Sequence, residues 1–147
     1  MTVILAPAVA SDAEALATLR VAAMRESLER VGRFDPVRAR ERFLSGFSPE
    51  HTRHIELHGE RVGFCVVKPV DHELLLDHLY IHPHRQRQGI GAAVLSLVFA
   101  EADAKGLALR VGALRESDSN RFYALHGFEL VERGPYDNYY VRSQPKK

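Results

Sequence analysis

Residues 74–105 constrain what this chain can fold into more than any other stretch. An apolar run at 74–81 is followed by a polar, basic turn at 82–88, and a helical pattern follows Gly89 and Gly91. This order predicts a strand, a glycine-containing loop and a helix. The first N–H groups of a helix have no partner within it, and the helix dipole favours negative charge there. The loop is therefore a candidate anion-binding site.

The glycines of this loop fit more than one interpretation. Gly89 and Gly91 have no Cβ, so a phosphate can approach the main chain, and Arg85 and Arg87 add positive charge. An ordinary strand-to-helix turn would also use glycine for its dihedral angles. The two common nucleotide motifs are excluded. No Gly-Lys-Ser/Thr follows the glycines, and no third glycine stands where a dinucleotide-binding fold needs one.

Length and composition predict one globular domain spanning residues 1–147. Apolar residues make up 46% of the chain and the formal net charge is +1, which argues against nucleic acid as a partner. The single cysteine, Cys65, excludes an internal disulfide and is interpreted as a buried apolar residue. No signal pattern and no membrane-length apolar run is visible, which predicts a cytoplasmic protein with no membrane partner.

The eight histidines do not form a metal-binding motif. His82 and His84 flank a proline in a loop, and no His-x-x-x-His pair falls in a helical pattern. No cysteine pair accompanies them, so we expect surface histidines and no metal.

The chain predicts a mixed α/β fold in the order β-α-α-β-β-β-α-β-α-β-β. Ser11 and Glu14 form a capping-box pattern for the first helix, while Asp35 and Pro36 fit the cap and first position of the second. Strands are predicted at 3–5, 52–57, 62–70, 74–81, 107–114, 128–133 and 139–141. Three hairpin-linked strands therefore lead into the glycine loop and its helix.

Two motifs in this order resemble those of the GNAT superfamily of N-acetyltransferases. The first is Gln86-x-x-Gly89-x-Gly91, which resembles the pyrophosphate-binding motif between the fourth strand and third helix of that fold. The second begins at Tyr123 and ends in Gly-Phe at 127–128, and it resembles the family's Tyr-x-x-x-Gly-Phe signature. The predicted order of elements is similar along nearly the whole chain, which implies the GNAT acyl-CoA N-acyltransferase fold.

The resemblance implies acetyl-CoA as co-substrate and assigns residues to it. Its pantetheine arm would pair with the main chain of Leu79, Tyr80 and Ile81 like an added strand, so the neighbouring strand at 107–114 must splay away. Asn120 either contacts that arm or caps the fourth helix, and Glu116 stands where many members carry an asparagine. The backbone groups implied to hold the pyrophosphate belong to Gln86, Arg87, Gln88, Gly89, Ile90, Gly91 and Ala92.

The resemblance also implies two catalytic side chains. Tyr123 would give a proton to the departing thiolate, because a thiol and a phenol have ordinary pKa values of about 8.5 and 10. On its own, Tyr123 fits a packing aromatic as well. Asp77 takes the position of the general base in some members, with Glu73 or a water as the alternatives. Strand alternation places Asp77 and Glu73 on one face and His78 on the other.

Three functions are compared on these grounds. The first is transfer of the acetyl group to a primary amine of a small molecule, an amino-acid derivative or a peptide N-terminus. The second is a non-catalytic CoA-binding regulatory module of the same fold. The third, nucleic-acid binding through residues 85–87, is disfavoured by the balanced charge. Late strands of this fold often pair between subunits, so a homodimer is one option, while the oligomeric state, the acceptor and the acyl-chain preference are left open.

Overall fold

A computed structural model describes residues 1–30 and 32–144 and confirms the mixed α/β order of elements. The described residues form seven strands and four α-helices. They are β1 (Val3–Pro7), α1 (Ala13–Arg30), α2 (Pro36–Ser45), β2 (Thr52–Leu57), β3 (Glu60–Val70), β4 (Glu73–Ile81), α3 (Ile90–Lys105), β5 (Leu109–Leu114), α4 (Ser119–Leu125), β6 (Glu129–Arg133) and β7 (Asp137–Arg142). The predicted ends agree within about three residues, and β2 matches at both ends.

The strands form a mixed sheet in the order β1-β2-β3-β4-β5-β7-β6. β4 and β5 run parallel, whereas β1 with β2, β2 with β3, β5 with β7 and β6 with β7 are antiparallel. The chain divides into two compact units. The first contains Met1–Val66 and His78–Val94, and the second contains Val67–Asp77 and the chain from Leu95 onward. A single domain spanning 1–147 stays a prediction.

The first unit packs α1 and α2 around an aromatic centre. Phe43 of α2 and Phe64 of β3 meet edge to face with their ring centroids 5.4 Å apart. The predicted start of α2 is confirmed, because the Asp35 carboxylate accepts a hydrogen bond from the Arg38 N–H at 3.1 Å. The buried side chains of this cluster are Ala8, Leu16, Ala17, Phe43, Phe64 and Val66.

The start of α1 departs from the predicted capping box at Ser11. Ser11 lies in a short 3₁₀ turn ahead of the helix, and the neighbouring Asp12 carboxylate accepts from the Val9 N–H at 2.9 Å. The same carboxylate oxygen lies 2.9 Å from Nε2 of His54, which is buried. These contacts, the Val9 bond foremost, hold the pKa of the Asp12 carboxyl below its usual value. The contact between Asp12 and His54 of β2 therefore determines that Asp12, and not Ser11, forms the side-chain hydrogen bond of this turn.

The second unit packs the later part of α3 and α4 on β5 and β7. Arg142 of β7 binds Asp103 of α3 through two contacts of 3.0 and 3.2 Å, and its guanidinium lies 4.1 Å from the Phe99 ring centroid. The hydrogen bond from Arg142 holds the pKa of the Asp103 carboxyl below its usual value. The edge strand β6 is exposed along its whole length. No helix of the described residues is both long and apolar enough for a membrane span.

Candidate functional site

The glycine loop, residues 82–89, joins β4 to α3 in the first unit. The Gln86 side chain donates from Nε2 to the Ile81 carbonyl oxygen at 3.0 Å, which fastens the loop to the end of β4. Arg87 and Gly89 then adopt left-handed φ angles of 63° and 83°. Non-glycine residues rarely adopt such angles, so Arg87 is held there by the fold around it. The chain thereby turns sharply enough for α3 to begin at Ile90.

The start of α3 presents main-chain donors without helical partners. The Ala93 N–H donates to the Gly89 carbonyl at 3.2 Å, so the N–H groups of residues 90–92 precede the helical ladder. Gly89 is exposed, and a Cβ there would have only the Met1 Cε within 4 Å, at 3.9 Å. Ile90 is fully buried and anchors this first turn. The site is therefore open, and it has the geometry that binds anions through backbone groups.

Two arginines belong to this loop, and they differ in environment. Nη1 of Arg85 lies 3.6 Å from a carboxylate oxygen of Glu60, and its Nε is buried without a hydrogen-bond partner. Arg87 is exposed. Arg85 thus forms an ion pair within the protein, whereas the side chain of Arg87 is open to solvent.

The end of β4 places Leu79, Tyr80 and Ile81, all half-buried, beside α1 and β3. The Tyr80 hydroxyl donates to the Met24 sulfur at 3.3 Å, and the Tyr80 ring centroid lies 5.6 Å from that of Phe64. Gly63 of β3 faces the same segment, and a Cβ there would collide with the Tyr80 carbonyl oxygen. Gly63 is not among the site residues predicted from the sequence. A glycine inside an apolar strand is the signal that would have indicated this close main-chain approach.

The ladder between β4 and β5 is short. In the second unit Leu74 pairs with Leu109 and Leu76 with Val111, while β5 continues to Leu114 in register with β7. Residues 79–81 of β4 come after the last of these pairs along the strand. The end of β4 extends beyond its hydrogen-bonded ladder with β5. Its main chain is therefore suited to pair with an added extended ligand, as the resemblance to the family requires.

Both candidate carboxylates of β4 are ion-paired. Asp77 Oδ2 lies 3.1 Å from the Lys68 Nζ, with the two side chains 36% and 32% exposed. Glu73 Oε1 lies 2.7 Å from the Arg110 Nε. His78, in the first unit, packs its ring on Phe43 with centroids 5.6 Å apart. The role of Asp77 as a base stays a prediction, and its partner Lys68 was not predicted from the sequence.

Tyr123 lies in the second unit, where its motif stops α4. The Phe128 N–H donates to the Tyr123 carbonyl at 3.1 Å, and the Gly127 N–H donates to the Ala124 carbonyl at 3.4 Å. Gly127 has a φ of 90°, which completes the Schellman pattern of a helix end. Tyr123 and Phe128 make the hydrophobic contact of that pattern, edge to face at 5.3 Å between centroids. The spacing of Tyr123, Gly127 and Phe128 in the motif therefore holds the Tyr123 side chain in place, and this residue is only 6% exposed.

Asn120 is the centre of a hydrogen-bond network that joins α4 to β5 and β7. Its Nδ2 donates to the Leu114 carbonyl at 2.9 Å and to the Ser117 carbonyl at 3.0 Å. Its Oδ1 accepts from the Asn138 Nδ2 at 2.9 Å and from the Tyr140 hydroxyl at 2.8 Å. A side-chain amide has two donors and two lone pairs, so these bonds use its whole capacity. A cofactor role for Asn120 stays a prediction, and it would compete with these contacts.

Metal ligation has no geometric basis in the part of the chain that the structure describes. Across residues 1–30 and 32–144, no three His, Cys, Asp or Glu side chains come together in a metal-binding group. His82 and His84 stack with their ring centroids 4.4 Å apart.

These features define a class of protein. A mixed sheet, a glycine loop at the start of a helix and a strand that outlasts its parallel ladder are the parts of a fold that holds a long, phosphate-bearing cofactor. The acetyltransferase (GNAT) domain model matches residues 49–130, more than half of the chain. The chain belongs to the GNAT acetyltransferase family.

Solved structures of this family share the fold. The PaiA N-acetyltransferase of Thermoplasma acidophilum, solved in complex with coenzyme A, matches with a TM-score of 0.79 and 16% identity over 97% of this chain and 99% of that one. An acetyltransferase from Thermus thermophilus matches with a TM-score of 0.76 and 22% identity over 97% of each chain. Comparison with curated protein sequences finds no significant match.

A third structure carries information about an acceptor. It is the Escherichia coli enzyme that acetylates an alanine of a ribosomal protein, with a TM-score of 0.72 and 18% identity over 99% of this chain and 97% of that one. Identities this low show the fold alone, so the acceptor of the present chain has to be argued from its own residues.

Proposed function

We propose that the protein is an acetyl-CoA-dependent N-acetyltransferase that acts on a primary amine of a small molecule, an amino-acid derivative or a peptide N-terminus. The observation that carries this proposal is the open start of α3, where the N–H groups of residues 90–92 follow an exposed Gly89 in left-handed conformation. Such a site suits a diphosphate, because backbone donors and the helix dipole act on the same charge.

The cofactor contacts proposed here use the main chain more than side chains. Backbone groups of residues 86–92 hold the pyrophosphate, and those of Leu79, Tyr80 and Ile81 pair with the pantetheine amides. Two features support this: Gln86 fastens the loop to Ile81, and the β4–β5 ladder stops at Leu76. The coenzyme A in the Thermoplasma structure is consistent with the same use of the fold.

Direct transfer requires three actions from this chain. Asp77, or a water that it holds, takes a proton from the acceptor amine, whose nitrogen then forms a bond to the thioester carbon. A backbone N–H of residues 79–81 donates to the oxygen that gains charge, a contact worth roughly 3 kcal/mol of barrier. Tyr123 gives a proton to the sulfur as the carbon–sulfur bond breaks. Bound acetyl-CoA supplies the activated acetyl group.

The alternative is a non-catalytic CoA-binding module of the same fold. Tyr123 favours catalysis, because its motif holds one particular ring in a buried position at the end of α4. In the same proposal the chain acts as a single domain, in the cytoplasm, without nucleic-acid or membrane partners, and its oligomeric state, with a homodimer among the options, is left open.

Two measurements on the same protein separate these functions. Thermal unfolding with and without acetyl-CoA reports binding, and free thiol released in the presence of an amine panel reports transfer. A melting shift together with amine-dependent thiol release supports the transferase. A melting shift without release from any amine supports the binding module. A melting temperature that acetyl-CoA leaves unchanged would overturn both.

A further inference from the structure

The ion pair between Lys68 and Asp77 stands at a particular place in the second unit. Asp77 is the first residue of β4 after Leu76, where the ladder with β5 ends. It precedes Leu79 by two residues on the same strand, or about 7 Å at the rise of a β-strand. Both charged side chains are about one-third exposed, and their closest atoms are 3.1 Å apart. A ligand at the end of the ladder can therefore reach both charges.

The ion pair between Lys68 and Asp77 contributes little to the stability of the fold. An exposed pair contributes at most about 1 kcal/mol, because water screens it and two long side chains lose freedom. An ammonium has three donors and a carboxylate about four lone-pair sites, so each group can bind more than one partner. The pair is a fixed local dipole, with a cation and an anion at the spacing of a hydrogen bond.

We infer that this dipole recognises the zwitterion of a free α-amino acid, an inference that rests on the proposed function. The acceptor ammonium binds Asp77 and the acceptor carboxylate binds Lys68. The four charges then alternate around a ring, and the original Lys68–Asp77 contact is kept. The ammonium of the acceptor thereby lies on the proposed base, close along β4 to the residues proposed to hold the pantetheine arm.

A narrower class of acceptor follows from this arrangement. The favoured acceptor carries a free carboxylate on the carbon next to its amine. That carboxylate is absent from amino-acid amides, amino-acid methyl esters, simple amines and the N-termini of peptides. None of these acceptors can therefore bind Lys68 through a carboxylate next to the amine. Among the primary amines of the proposed function, free amino acids are therefore the favoured acceptors.

The test compares acceptors that differ only in the carboxylate. Alanine, leucine and phenylalanine are each paired with the corresponding amide, and kcat/KM is measured by thiol release with acetyl-CoA. Amides are the less basic amines, so their reactive neutral form is more abundant at neutral pH. A preference for the acid must therefore come from the protein. We expect the acid to be favoured about tenfold to a hundredfold in at least one pair, as a charge-assisted contact would give.

Variants assign that preference to Lys68. Lys68→Met keeps the length of the side chain and removes its charge, and we expect it to reduce the acid-to-amide ratio to one or below. Lys68→Arg restores the charge and retains most of the ratio, which guards against a folding defect in the first variant. Arg110→Met removes the neighbouring cation that pairs with Glu73, and its ratio stays that of the unmodified protein.

Three outcomes would overturn the inference. If amides are acetylated as well as acids in every pair, the proposed function stands and the zwitterion site does not. The same holds if Lys68→Met slows acids and amides equally. If no acceptor releases thiol even though acetyl-CoA binds, the proposed transferase and this inference are overturned together.

Discussion

The glycine loop of the first unit and the Asn120 network of the second build their polar surfaces in opposite ways. Gln86, Arg87, Gln88 and Gly89 are all exposed, and the loop offers backbone groups at the start of a helix. The side-chain amide of Asn120 has its donors and acceptors fully used within the protein.

This difference predicts which kinds of substitution will have an effect in each region. In the glycine loop the main chain carries the proposed chemistry, so only changes of conformation, access or charge should matter. Around Asn120 and Tyr123 individual side-chain atoms carry the contacts, so removing one hydroxyl or amide should have a defined effect. Substitutions in the two regions test this contrast, and substitutions outside them show how far it extends; the largest expected effect comes first.

The largest effect is expected at the loop glycines. Gly89→Glu and Gly91→Glu each place a side chain and a negative charge where the pyrophosphate is proposed to lie. At acetyl-CoA near 100 times its Kd, the unmodified protein should gain about 2.7 kcal/mol of stability, and these variants almost none. Gly106→Glu is the control, because Gly106 has a φ of 71° at the other end of α3. If the loop variants keep their melting shift, the loop does not bind the cofactor.

Tyr123→Phe is expected to lower kcat about a hundredfold, because a positioned proton donor is lost. Its affinity for acetyl-CoA should change little. Tyr140→Phe is the matched variant of a second buried tyrosine, 6.3 Å away between ring centroids. It loses the hydroxyl bond to Asn120, which should cost about 1 kcal/mol of stability and leave kcat nearly unchanged. Equal turnover in Tyr123→Phe and the unmodified protein would reduce Tyr123 to a packing residue.

Asp77→Asn should slow turnover about tenfold near neutral pH, which is less than the usual effect of losing a general base, because water can take the proton in its place. The defect should shrink at alkaline pH, because more of the acceptor is then neutral without help from the protein. A pH–rate profile of kcat/KM measures this. Glu73→Gln serves as the comparison for the other candidate base. A loss of the same size at every pH would remove Asp77 from that role.

Asn120→Ala should destabilise the protein by about 2 kcal/mol, because the Asn138 amide and the Tyr140 hydroxyl both lose their acceptor. Urea unfolding measures the loss. Acetyl-CoA affinity, measured by calorimetry where the variant is folded, should stay within about twofold if the amide serves only the network. A clearly weaker affinity would instead assign Asn120 to the pantetheine arm.

The smallest effect is expected at Asp12, away from both regions. Its carboxyl pKa is lowered in the folded state, mainly by the Val9 N–H and then by His54. The resulting stability is fully present above the unfolded value of about 3.9 and is lost as pH falls through the lower folded pKa. Asp12→Asn should therefore flatten the acid side of the melting curve. Asp71→Asn, at an exposed turn, is the matched control variant.

Sequence alone predicted the parts of this molecule that local rules decide. The start of α2 depends on Asp35 and Pro36, which are adjacent, and the end of α4 depends on a motif of six residues. The order of strands and helices followed from such signals, and the resemblance to the family supplied the glycine loop.

The contacts that the sequence did not predict join residues far apart in the chain. Asp12 and His54 are 42 positions apart, and Asn120 meets Tyr140 across 20. Ser11 and Asp12 are equally good turn residues, and only the position of β2 decides between them. Lys68 and Asp77 face one another across a hairpin whose register a bulge or slip would change. Such pairings depend on the folded sheet, which a local pattern does not specify.

The buried state of Cys65 has a practical consequence. It is the sole cysteine of the chain, it is not in a disulfide, and its side chain is fully shielded in β3. A thiol-reactive dye added to the folded protein should therefore label coenzyme A released by turnover and leave the polypeptide unmodified. After denaturation the same dye should add one label per chain, so a single reagent can report both catalysis and the fraction of molecules that have lost their fold.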